Sequence, residues 1–271
     1  MNTLFQRIIT AILLIALLVL VLFALPPLAS IAAISSLVMI GAWEWGGFLG
    51  FKQKRANWFY VLFIAAVMLA VGSLIPDREW VLVVLRGSLV WWGIAFLWIL
   101  RYPTVIKPPV TAICGVFVLL PGWLACVNLI LIEPLGAELV LLVLVIVWAA
   151  DVGAYVVGRR FGRVQLAPHV SPGKTWEGLL GGLVGAALGA SLGGLYFGWP
   201  VAQFIPLGLS VGAISVVGDL TVSMFKRNAG LKDSGRLVPG HGGLLDRIDS
   251  VNAAVPLFVI ELSWLQAFAA G

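Results

Sequence analysis

Long apolar runs separated by short polar turns recur nine times along this chain. A helix that crosses a bilayer needs about 20 predominantly apolar residues. By that measure the pattern predicts spans at 8–24, 28–49, 58–75, 80–100, 111–132, 137–157, 179–197, 204–225 and 251–270. Arg7 before the first run resembles the start of a secretory signal. Pro26-Pro27 and the lack of a clean small-x-small cleavage site favour a retained first span instead. The expected fold is an all-α polytopic membrane protein with about nine transmembrane helices.

Composition agrees with that class. The 271 residues are 61% hydrophobic and 11% charged, with a mean hydropathy of +1.08; a soluble domain would be roughly 25% charged. The excess of 17 Lys+Arg over 12 Asp+Glu follows topology better than it follows nucleic acid. With the N-terminus cytoplasmic, 15 of the 17 bases fall on the cytoplasmic side. Asp77, Glu79, Glu133 and Glu138 fall on the other side with Arg78 and Arg86. This is the positive-inside bias, and it places the C-terminus in the periplasm. Five spans make an N-terminal membrane region, 1–136. Four spans with cytoplasmic loops 158–178 and 226–250 make a second region, 137–271, which carries the chemistry.

Smaller features read as packing. Cys114 and Cys126 lie in one apolar segment, where free cysteines behave as small hydrophobes. Gly181, Gly185, Gly189 and Gly193 form a stripe that lets helix backbones approach closely in lipid, within one subunit or across a homodimer.

The stretch 223–250 is a polar island between apolar segments. Just upstream, Asp219 sits in apolar sequence, where a carboxylate is costly and usually functional. In a helix Asp219, Ser223, Lys226 and Arg227 share one face, at i, i+4, i+7 and i+8. The glycines of Pro239-Gly240-His241-Gly242-Gly243 predict an open turn that lets backbone approach a ligand. Asp246 and Asp249 follow three residues apart. Carboxylates facing clustered lysines and arginines suit a metal-bound phosphate substrate, and hard oxygen ligands suit Mg²⁺. Gly173-Lys174-Thr175 lacks the spacing of a P-loop, because Pro168 stands where the first glycine would be. Ser171, Lys174, Thr175 and Glu177 read instead as a cap and phosphate-binding N-terminus of the seventh helix. Asp151 either ends the sixth helix at the interface or faces the substrate.

The ordered string S-x-F-K-R-x4-K-D-x-G-x3-P-x-H-G-G-x2-D-R-x-D, from Ser223 to Asp249, resembles the signature of the phosphatidate cytidylyltransferases, or CDP-diacylglycerol synthases. Its fixed positions are Ser223, Phe225, Lys226, Arg227, Lys232, Asp233, Gly235, Pro239, His241, Gly242, Gly243, Asp246, Arg247 and Asp249. Val238 stands where Ile or Leu is more usual. The resemblance extends to D-x-x-A-Y-x-x-G-R-x-F-G from Asp151 and to S-P-x-K-T-x-E-G from Ser171. The N-terminal third matches in hydropathy alone.

The resemblance implies transfer of CMP from CTP to phosphatidic acid, with Mg²⁺, and room for a second cation, held by Asp219 and Asp246. Asp249 fits either a further ligand or a partner that orients Arg247. Lys226 and Arg227 would stabilise charge on the phosphates. His241 suits a phosphate hydrogen bond better than proton transfer. Asp151, Ser171, Lys174, Thr175, Glu177, Ser223, Lys232, Gly242, Gly243 and Arg247 would line the substrates. Asp233, beside Lys232, fits a loop ion pair as well as a catalytic role. The expected partners are CTP, phosphatidic acid and membrane lipids, in a bacterial inner membrane. The rival readings are an ion-coupled transporter using Asp219 and Asp151, a scaffold for anionic lipids, and a CTP-dependent transferase acting on another lipid.

Overall fold

The computed structural model describes residues 3–50, 54–73, 75–237 and 242–265. Nine α-helices occur among them: α1 (Thr3–Phe23), α2 (Pro27–Gly46), α3 (Asn57–Gly72), α4 (Arg78–Arg101), α5 (Pro108–Ile130), α6 (Gly136–Phe161), α7 (Trp176–Phe197), α8 (Val201–Asn228) and α9 (Leu245–Trp264). A two-stranded antiparallel hairpin of β1 (Gln165–Ala167) and β2 (Ser171–Thr175) separates α6 from α7. The chain is an all-α polytopic membrane protein. Six of its described helices are long and apolar enough to cross a membrane: α2 with the turn after it, and α4 to α8. α3 is apolar but shorter, and α9 carries Asp246, Arg247, Asp249 and Glu261.

Local chemistry explains where helices begin. Proline at the first position starts α2 and α5, where its missing N–H costs no hydrogen bond. Asp77 caps α4 by accepting from Glu79 N at 3.0 Å and Trp80 N at 3.2 Å. Thr175 caps α7, its Oγ1 accepting from Gly178 N at 3.1 Å. Such a cap is worth about 1 kcal/mol.

α5 is the most enclosed of the candidate spans and packs against α9 and α2. α6, α7, α8 and α9 pack as successive neighbours. The glycine stripe of α7 faces α6 within the same chain. A Cβ on Gly185 would fall on the Ala149 carbonyl, and one on Gly181 on the Val157 side chain. The motif's Phe225 is fully buried, its ring 5.0 Å from Trp45 and 6.0 Å from Trp98. It ties the end of α8 to the N-terminal helices.

Three of the boundaries that differ from the pattern-based reading bear on the site. α6 continues to Phe161, so Asp151 lies well inside the helix and does not end it. Residues 171–175, expected to lead directly into a helix cap, form the second strand of the hairpin, whose end delivers Thr175 as the cap. α9 begins at Leu245, which puts Asp246 and Asp249 on the helix and not in the preceding loop.

Candidate active site

The polar residues of three elements converge at one end of the bundle. On α8, Ser223 Oγ donates to Asp219 Oδ1 at 3.1 Å, as the i, i+4 spacing predicts. Lys226 follows on the same face and is buried. Its Nζ donates to Asp246 Oδ1, 2.7 Å away at the start of α9. Asp246 Oδ2 accepts from Ser234 N at 2.9 Å and Gly243 N at 3.0 Å. Burial works to raise the Asp246 carboxyl. The Lys226 ammonium and the two backbone donors outweigh it, leaving the group below the usual carboxylate range.

The hairpin supplies the next cation. Lys174 Nζ lies 2.6 Å from Asp219 Oδ2. Glu177 accepts from the backbone of Arg163 at 3.1 Å and of Val164 at 3.3 Å, which fixes the turn between α6 and β1. Arg227 Nε donates to the Val170 carbonyl at 3.3 Å and its Nη1 to the Leu231 carbonyl at 3.1 Å. In this arrangement Arg227 and Glu177 hold loops in place, and Lys174 is the hairpin side chain that reaches the cluster. Ser171 is half-buried on β2, opposite Ala167.

Asp249 is buried, and its Oδ1 accepts from Ser250 N at 2.8 Å. Gly218 lies against the backbone of Asp249 and Ser250, so α8 and α9 approach closely there. Asp151 lies on α6, which packs against α7, and is exposed. Direct contacts thus join Lys174, Asp219 and Ser223 in one group and Lys226 and Asp246 in a second, with Asp249 on α9 where that helix meets Gly218 of α8.

Lys232 and Asp233 are exposed on the segment after α8, with Asp233 beside Gly242. Gly242 has φ 88°, a conformation that side chains resist. His241 lies outside the described residues. One acidic residue of the site lies outside every motif. Glu44 of α2 is buried and bonded to the loop that precedes α9. Its signal in the sequence is a lone carboxylate in an apolar span, the same argument that singles out Asp219.

An arrangement of carboxylates and lysines at a helix-bundle end can bind and polarise phosphates. The pattern of the Cytidylyltransferase family matches residues 5–265. The chain belongs to that family. It is 41% identical over 274 residues to a phosphatidate cytidylyltransferase of Pseudomonas aeruginosa, covering 98% of each chain. It is 39% identical over 280 residues to that of Haemophilus influenzae, covering 93% of this chain and 96% of the relative. A shorter match, 45% over 134 residues, joins it to a phosphatidate cytidylyltransferase of Synechocystis. The two long matches include the N-terminal helices, so the family likeness extends well beyond the motif loops.

Proposed function

We propose that this protein transfers CMP from CTP to phosphatidic acid, giving CDP-diacylglycerol and pyrophosphate. The observation that carries the reading is the pairing of Lys174 with Asp219 and of Lys226 with Asp246 at one bundle end, in a chain of this family. The acceptor phosphate monoester carries about −1.5 to −2 charges near neutral pH. It is already a nucleophile, so no strong base is required. The difficulty is bringing it against a triphosphate.

The chain's own residues address that repulsion. Lys174 comes from the hairpin and Lys226 from α8, so a polyanion bound at this end of the bundle would have two ammonium groups to draw on. Arg247, exposed on the first turn of α9, adds a planar fork suited to phosphate oxygens. Preorganised cations of this kind stabilise charge that builds on the α-phosphate and the departing pyrophosphate.

The donor set also fits Mg²⁺, which takes one or two carboxylates and fills its other positions with phosphates and water. Gly218 packs against the backbone of Asp249, so Asp219 and Asp249 would offer carboxylates from adjoining turns of α8 and α9. Asp246 has about four lone-pair sites, three of them engaged by Lys226, Ser234 and Gly243, which leaves one for a metal. Bound there, Mg²⁺ would act as a Lewis acid on the phosphates.

The distribution of bases supports nine spans, with the N-terminus and both motif loops facing the cytoplasm, where CTP is found. Bacterial relatives support an inner-membrane setting. Phosphatidic acid would enter sideways between helices and present its headgroup at the level of Asp219. The ion-coupled transporter reading loses ground, because Asp219 is paired with Lys174 in a chain of the Cytidylyltransferase family.

The test is purified protein with labelled CTP and defined lipid phosphates. Pyrophosphate release that requires phosphatidic acid supports the assignment. Release with a different lipid phosphate alone, or none at all, refutes it.

A further inference from the structure

A buried carboxylate outside the motifs grips the motif loop at its neck. Glu44, near the end of α2, is 1% exposed. Its Oε2 accepts from Leu245 N at 2.7 Å and from Ser234 Oγ at 2.9 Å, and its Oε1 accepts from Leu244 N at 3.0 Å. Ser234 lies 190 positions away in sequence. One side chain of the N-terminal half therefore fastens both limbs of the loop and caps the start of α9, whose first N–H groups need acceptors.

Two motif glycines make room for this carboxyl. A Cβ on Gly235 would fall on the Glu44 carboxyl group. A Cβ on Gly243 would strike Ser234 Oγ and stand 2.6 Å from Glu44 Oε2. In the motif alone, Gly243 belongs to an expected open turn and Gly235 is a fixed position without a stated role. The contacts show that they close on Glu44.

Ser234 and Gly243 are also the residues whose N–H groups hold Asp246. Asp246 and Glu44 thus hold the same neck from two sides, and Asp246 in turn binds Lys226. We propose that Glu44 is a positioning residue for CMP transfer. It fixes the neck of the loop, and through Ser234 and Gly243 it fixes the Asp246–Lys226 pair. The inference rests on the proposed reaction. Wild-type turnover tests that reaction, and the ratio of variant to wild type tests Glu44.

Three donors converge on two oxygens, so a glutamine is a poor substitute despite its equal volume. Its amide NH₂ would face an N–H or O–H donor instead of accepting from it. In folded Glu44→Gln, kcat should fall about 10- to 100-fold while KM for CTP and for phosphatidic acid stays within about twofold. Thermal stability in detergent should fall, because a buried donor loses its acceptor, so kcat is normalised to folded protein. Folded variant with wild-type kcat would overturn the proposal. So would a change confined to KM, or a loss of activity that only tracks loss of folded protein.

Ser234→Ala keeps the proposal testable even where Glu44→Gln does not fold. It removes one of the three bonds and should lower kcat about 3- to 10-fold. Combined with Glu44→Gln it should cost less than the product of the two effects, because both changes break one shared contact. Wild-type kcat in Ser234→Ala, or full multiplicative loss in the pair, would count against Glu44.

Discussion

The Lys226 ammonium, 2.7 Å from Asp246, joins the last turn of α8 to the first turn of α9, and both partners are nearly excluded from solvent. Removing one member of a buried pair leaves a lone charge in a medium that solvates it poorly, at a cost of about 3–5 kcal/mol. Lys226→Met should therefore lower thermal stability strongly. Lys226→Met with Asp246→Leu should regain much of that stability and still lack activity. Measuring melting temperature and turnover on the same preparations separates the two roles. An active double variant would show that the pair is purely structural.

Asp219 presents a simpler substitution. Asp219→Asn keeps the volume and the contact with Ser223 but removes the charge that faces Lys174. Losing a charge-assisted bond worth about 1.5–3 kcal/mol corresponds to about a 10- to 150-fold fall in rate if the bond matters only in the transition state. Turnover with labelled CTP, normalised to membrane-inserted protein, gives the answer. Near-wild-type turnover would remove Asp219 from the reaction.

Arginine and lysine are interchangeable for topology but not for a bidentate phosphate contact. Arg247→Lys is expected to reduce activity about tenfold or more, whereas Lys107→Arg, on the exposed α4–α5 turn, should be silent. Equal, negligible effects at both positions would mean that Arg247 contributes only charge.

The α6–α7 contact has no space for a branched side chain. Gly185→Val would push carbon atoms into the Ala149 carbonyl, and overpacking of this kind costs about 1–3 kcal/mol. A lowered melting temperature is expected, with kcat of the remaining folded protein close to wild type. Unchanged stability would mean that the two helices can move apart freely.

Topology can be read by thiol labelling with Cys114 and Cys126 replaced by Ala. Val164→Cys and Leu237→Cys, both exposed, should react with an impermeant reagent only from the cytoplasmic side. Labelling of either from the other side would break the nine-span arrangement.

Much of this site is legible in the amino-acid sequence alone. The face shared by Asp219, Ser223 and Lys226 follows from helical periodicity, and a dense motif marks the residues around it. Other parts are hidden for physical reasons. Glu44 disappears in a hydropathy average, since one carboxylate barely dents an apolar run. The strand at 171–175 contains Pro172 and Gly173 and lacks the alternation that signals a strand. Asp151 sits below a helix extension that carries Arg159 and Arg160, and such bases resemble a membrane boundary although the helix continues through them. Arg227 matches a phosphate-binding motif, yet its guanidinium donates to the Val170 and Leu231 carbonyls. A string of residue types cannot distinguish those partners.

The length of α8 has a consequence for how the enzyme senses its surroundings. Its 28 residues extend about 42 Å, against a hydrocarbon layer of about 30 Å. With the Val201 end level with one boundary, the last two turns stand clear of the other, and Asp219 comes to rest near the ester linkages of the lipids. In that placement the helix would act as a depth gauge for the reacting phosphates. A bilayer of longer acyl chains would submerge the lysines, and a thinner one would lift them away from the headgroup plane. Membrane thickness would then be a variable of the reaction rate, alongside the concentrations of its substrates.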